Sequence, residues 1–168
     1  MPNRRKPAAR RKAPVRGAKI ERREQQWFVI GEAAFDVERA HALLRGRSVS
    51  ARIPVVDWVR MYGLDAINQD GDSCSGGRIA QIQGFDVAHA MRADLSRPLI
   101  VALLPGRRGG VYPLVIDGRH RLYRAWREKV EYLPAQVLTP DESVEVATDE
   151  PMRDLMHLYR WPGWQETR

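Results

Sequence analysis

The sequence predicts one mixed α/β domain of the α+β kind, a small mixed sheet with packing helices, preceded by a disordered basic N-terminal arm. Three observations predict it. Leu99 to Leu104 is a nearly continuous apolar run, short enough for a buried strand. A second run, Val111 to Ile116, follows across Gly106-Arg107-Arg108-Gly109-Gly110 and leads into a segment with Leu122, Ala125 and Trp126 at helical spacing. Before residue 25 the chain is rich in Pro, Ala and Arg with almost no large apolar residue, too little buried surface to offset the entropy of ordering.

The elements follow in chain order. Trp27 to Ile30 and Ala33 to Phe35 read as a hairpin turning at Gly31-Glu32. Asp36 then caps a helix carrying Val37, Ala40, Leu43 and Leu44 as far as Gly46. Residues 49 to 53 suit a strand, and Pro54 suits the first position of a helix bearing Val55, Trp58, Val59 and Tyr62, ending at Gly63. Asp86 is expected to cap a helix whose apolar face is Val87, Ala90, Met91 and Leu95, with Pro98 opening the next strand. After the helix that follows Gly118, a return strand covers Tyr132 to Leu138. Thr139-Pro140-Asp141-Glu142 is a capping box that starts another helix. A last helix from about Pro151 carries Met152, Leu155, Met156 and Tyr159, and Trp161-Pro162-Gly163-Trp164 reads as its stop. The expected divisions are a basic tail at 1 to 24, a hairpin and helix elaboration at 25 to 64, a core at 65 to 140 and C-terminal helices at 141 to 168.

Net charge is +7 over 168 residues, and it is concentrated at one end. Residues 1 to 24 hold ten basic side chains against Glu21 and Glu24, whereas 25 to 168 hold 18 basic and 19 acidic residues. The tail residues Arg4, Arg5, Lys6, Arg10, Arg11 and Lys12 suit salt-dependent, sequence-independent contact with nucleic-acid phosphates; a solvated arm with no dedicated target has the same composition. A single cysteine rules out an internal disulfide, and no apolar run approaches the roughly 18 residues of a membrane-spanning helix. The N-terminus lacks the apolar segment of a secretory signal, so the expected location is the cytoplasm, with no membrane partner.

The junction at 117 to 121 carries the chemistry. A helix N-terminus presents backbone N–H groups without intrahelical partners and the positive end of the macrodipole. Arg119, His120 and Arg121 add charge there, and Gly118 lets a ligand approach the backbone, which together suit phosphate. His120 either contacts that ligand or packs with a ring nitrogen held by a backbone carbonyl. Arg121 offers a bidentate fork, although Arg121, Arg124 and Glu128 also trace an ordinary solvated helix face. Asp117 either takes a nucleotide's Mg²⁺ or simply forms the Asp-Gly turn. Glu32, Asp57 and Asp72 are unranked candidates for a general base.

Elsewhere the signals are weaker. Residues 65 to 84 form the longest irregular stretch, and its Asn68, Asp70 and Asp72 mimic the opening of a calcium loop. Ser73 stands where that loop needs Gly, and Ile79 where it needs Glu, so a solvated polar loop fits better. Gly76-Gly77-Arg78 reads either as a second phosphate contact or as a hinge. His41, His89 and His157 each stand alone on helical segments, without the paired spacing of a zinc site.

The segment YPLVIDGRHRLYRAWREKVEYLPAQVL, residues 112 to 138, resembles the core motif of the superfamily that joins the N-terminal domain of the partition protein ParB to sulfiredoxin. There a strand ends in a Gly-x-[His/Arg]-Arg turn and opens a helix carrying Ala, and the next strand begins near a Pro. Gly118, His120, Arg121, Ala125 and Pro134 fill these places, and LSRPLIVALLPGRRGGVYPLVID resembles the strand and hairpin that precede them. The resemblance covers roughly residues 85 to 140. It implies a ParB/sulfiredoxin-like fold, binding of ATP or CTP with Mg²⁺ at the turn, and a bacterial, possibly nucleoid-associated setting. Sulfiredoxins carry their reactive Cys where this chain has Arg119, and Cys74 lies in the 65 to 84 loop, so sulfinic-acid reduction is not expected. About thirty residues follow the last strand, too few for the DNA-reading and dimerisation domains of a full partition protein. The expected function is therefore nucleoside-triphosphate binding, with DNA held through the arm. The rivals are a DNA-binding or assembly module that uses no nucleotide, and a phosphoryl-transfer or nuclease enzyme built on the same turn.

Overall fold

The computed structural model describes residues 27–30, 33–67, 85–105 and 110–147. The arm, the 68–84 stretch with Cys74, Asp72 and Gly76-Gly77-Arg78, and the Met152 to Trp164 segment with His157 lie outside the described residues, as does Glu32.

The alternating and continuous apolar runs become a mixed four-stranded sheet. Its order is β3 (Ala51–Pro54), β6 (Tyr132–Val137), β4 (Leu99–Pro105), β5 (Val111–Asp117). β3 and β6 are antiparallel, as are β4 and β5, while β4 and β6 run parallel with Leu99 opposite Ala135. The parallel pair requires a crossover, and the helix after Gly118 supplies it. Successive side chains on a strand face opposite ways, so the burial of Leu99, Ile100, Val101 and Ala102 in a row shows that β4 is covered on both faces. A separate hairpin, β1 (Trp27–Ile30) with β2 (Ala33–Asp36), precedes the sheet, and Phe35 bridges to Ala147 at the far end of the described chain.

The helices start where their caps dictate. Asp36 accepts the Arg39 N–H at 2.9 Å and opens α1 (Val37–Leu43). α2 (Val55–Tyr62) buries Val55, Trp58, Val59 and Tyr62 and stops at Gly63, whose φ of 68° closes a left-handed cap. Pro54 was expected inside this helix; it is the cap and the last residue of β3, paired with Tyr132, because its fixed φ serves both roles. Thr139 and Glu142 form the reciprocal capping box of α5 (Pro140–Val146). From α5, the fully buried Ser143 accepts the Leu103 N–H and donates to the Thr139 carbonyl, both at 2.8 Å, fastening α5 to β4.

The helix after Asp86 is much shorter than its apolar spacing predicts. α3 is only Val87–Ala90. Asp94 accepts from both the N–H and the hydroxyl of Ser96, and that local turn competes successfully with continued helix. Met91 is consequently exposed, while Leu95 still packs on the core.

The core joins all these parts. Phe35, Leu44, Tyr62, Leu64, Leu114, Ile116, Leu122, Leu133 and Leu138 are fully buried in one cluster. β3 therefore belongs to the same sheet as the 85–140 segment, and Tyr62 from α2 donates its hydroxyl to the Val115 carbonyl of β5. No helix among the described residues is long and apolar enough to cross a membrane.

Candidate functional site

β5 ends by delivering Asp117 and Gly118 to the start of α4 (Arg119–Arg127). Gly118 has φ 111° and ψ 22°, a backbone conformation that side-chain-bearing residues rarely adopt. Space excludes a side chain as well. A Cβ there would lie 2.3 Å from Leu99 Cδ2 and 2.9 Å from Arg121 Nη2. Because the cap is glycine, no cap side chain competes for the first-turn N–H groups of α4.

Arg121 does not stand out from the helix as a solvated fork. It is 8% exposed, its guanidinium lies against Gly118, and its Nη2 donates to Asp117 Oδ2 at 2.7 Å. The expected polar face at 121, 124 and 128 is thus broken at its first member. Arg124 keeps the rest, with its Nε on Glu128 at 2.7 Å and its Nη1 on the Ala93 carbonyl at 2.9 Å. Arg119 and His120 are half-buried in the first turn.

His41 was expected to stand alone, and the structure corrects this. Its Nε2 lies 3.2 Å from Asp117 Oδ2, so one carboxylate oxygen serves both Arg121 and an imidazole from 76 positions earlier. Burial of Asp117 opposes ionisation, but the hydrogen bond from His41 and the Arg121 charge outweigh it and hold the carboxyl below its ordinary range. α1 is fixed in place from several directions. Arg39 pairs with Glu145, Arg47 pairs with Glu142, and the Gln136 side chain of β6 donates to the carbonyls of Leu44 and Arg47.

His89 is the second correction. Its ring meets His120 edge-on at 4.8 Å, and Phe85 lies against His120 at 4.7 Å. His120 is therefore packed against two rings. Burial, then the neighbouring His89 and Arg119, push its imidazole below the ordinary value, with Asp86 and Asp117 opposing. Asp86 caps α3 through the His89 N–H at 2.7 Å, and that bond chiefly holds its carboxyl below the usual range. Phe85 also contacts Tyr123, which is buried in α4.

The junction thus gathers Asp117, Gly118, Arg119, His120 and Arg121 with three residues the sequence did not point to: His41, His89 and Phe85. No spacing connects residue 41 or 89 with 117 to 121; packing alone does. Asp57 is exposed in the first turn of α2. Among the described residues no three His, Cys, Asp or Glu side chains converge to hold a metal. For a nucleotide-borne Mg²⁺, Asp117 is the acidic side chain at the turn that would hold the ion, and its Oδ2 already serves Arg121 and His41. Comparison with protein-family models, with curated proteins and with solved structures gives no match for this chain.

Proposed function

We propose that the junction binds the phosphates of ATP or CTP carried with Mg²⁺, and that the basic arm holds the protein near DNA. The observation that supports it most is the glycine-capped start of α4, which offers backbone N–H groups, the helix dipole and the side chains of Arg119 and His120 to one anion. Arg121 contributes positive charge from beneath and, through Asp117, ties the helix start to α1. The resemblance of residues 112 to 138 to the ParB/sulfiredoxin-like superfamily points the same way. The part played by the arm rests on its charge alone.

Calorimetry of the full chain with ATP and with CTP, each with Mg²⁺, tests the nucleotide reading. Binding that weakens at least about tenfold in Arg119→Ala is the expected result, the loss of one charge-assisted contact. Arg121→Ala is a poorer probe because it leaves Asp117 without its guanidinium partner. Silence from both nucleotides at millimolar concentration refutes the reading. DNA affinity that survives deletion of residues 1 to 24 refutes the role of the arm.

A further inference from the structure

We propose that the α3–α4 layer is a second contact for duplex DNA, holding the phosphates of a duplex that the basic arm has brought to the domain. The assignment rests on the arm's part in the reading above. The helices fall into two groups: α1 packs with α5, and α4 packs with α2 and α3. Phe85 and His89 lie against His120, Phe85 also meets Tyr123, and Arg124 holds the Ala93 carbonyl. Residues 85–97 therefore run along α4 and share one surface with it.

Charge separates between the two groups, although the chain beyond the arm is nearly neutral. With the buried Arg121 set aside, residues 85–97 and 119–129 carry six basic side chains against Asp86, Asp94 and Glu128. Residues 36–47 and 139–147, which span α1 and α5, carry three basic against five acidic. α2 adds no net charge, since Arg60 stands against Asp57. The cations are also used differently. On α1 and just after it, Arg39 pairs with Glu145 and Arg47 with Glu142. Arg92, Arg97, Arg127 and Lys129 are exposed, and none of the ion pairs among the described residues includes them. The guanidinium carbon of Arg127 lies 5.9 Å from the ring centres of both Tyr123 and Trp126, a seat that orients the planar fork while leaving it exposed.

A surface of this kind suits a polyanion. Single strands are bound by stacking bases on open rings. Here Phe85 and Tyr123 are buried and Trp126 is half-buried beneath Arg127, so contact falls on the phosphate backbone, which a duplex presents at regular spacing. A few such contacts are too weak alone at physiological salt. The arm keeps the duplex at high local concentration, and the layer adds its contacts to those of the arm.

The full chain is titrated into a labelled random-sequence duplex by fluorescence anisotropy, over salt from about 50 to 200 mM. Arg92→Ser, Arg97→Ser and Arg127→Ser combined are compared with Arg45→Ser, Arg52→Ser and Arg60→Ser combined, which removes the same charge from exposed positions after α1, on β3 and on α2. The first set is expected to lower the slope of log K against log salt by about 2–3, close to 0.9 per phosphate, and the second by less than about 1. The single variants of the first set, each expected to lower the slope by roughly 0.9, keep the test readable if the combination unfolds. A first set whose slope equals that of wild type overturns the proposal and leaves the arm's role standing. An equal fall in both sets also overturns it, because net charge alone would then be at work. Tighter binding of a single strand than of the duplex overturns the choice of occupant. A wild-type chain that binds no duplex at the lowest salt overturns the arm's role and this proposal together.

Discussion

Gly118→Ala tests whether the junction is built as described. The substitution adds one methyl group where φ is 111°. Holding an alanine at positive φ costs roughly 1–2 kcal/mol. The methyl carbon would also sit 2.3 Å from Leu99 Cδ2, well inside the ordinary carbon contact of about 3.5 Å. Leu99 is fully buried in a strand covered on both faces and has nowhere to retreat, so overpacking adds roughly 1–3 kcal/mol. The sum is about 2–5 kcal/mol, or a fall in Tm of roughly 4–20 °C. Gly46→Ala is the matched control, because φ there is also positive, at 78°, but nothing lies within 4 Å of the added carbon. It should show the backbone cost alone. Urea titrations of both variants, read at constant m, give the difference directly. Equal losses in the two variants would refute the close approach of Leu99 and Arg121 to the glycine.

Three further outcomes follow from the structure. The folded His120 imidazole titrates below its unfolded value, so acid protonates the unfolded chain first: its stabilising contribution is intact above about pH 6.5 and erodes as pH falls from there through the folded value. His120→Phe keeps a ring against Phe85 and should flatten that part of the Tm-against-pH curve; an unchanged curve contradicts it. Glu142 is held down to about 2, first by Arg47 and then by the Thr139 N–H, with burial opposing; carbon-detected NMR should find this low value in the wild type and a clearly higher one in Arg47→Ala. Lys129 has φ 59° just past α4, where its N–H reaches the Trp126 carbonyl at 3.1 Å, so Lys129→Gly should raise stability by about 0.5–1 kcal/mol in urea melts, and a loss would show that the Lys side chain contributes more than its backbone costs.

What was legible in the sequence was what neighbouring residues decide among themselves. Asp36, Asp86 and Thr139 mark helix starts because a cap is a bond between a side chain and a backbone group three positions away. The run at 99 to 104 announces a buried strand because no polar residue interrupts it. The Asp94 turn was equally local, yet its bonds to Ser96 were hidden beneath an apolar spacing that continued past it. Arg121 illustrates a different limit. Its spacing to Arg124 and Glu128 is that of a surface stripe, but the glycine before it leaves room for the guanidinium to fold inward onto Asp117. His41 meeting Asp117 and His89 meeting His120 are matters of tertiary packing, and no period or motif encodes a pairing across 76 or 31 positions.

The bracing of α1 has a practical reach. A helix that brings an imidazole to the junction is held by Gln136, Glu142 and Glu145, residues that follow the glycine turn in sequence. A fragment spanning 85 to 140 would carry every residue of the Asp-Gly-Arg-His-Arg signature and still lack that ring. Drift at 136, 142 or 145 can therefore change how His41 meets Asp117 without touching either one. Residues 41, 136, 142 and 145 thus act as one set in placing the ring, and mutagenesis confined to the glycine turn would overlook it.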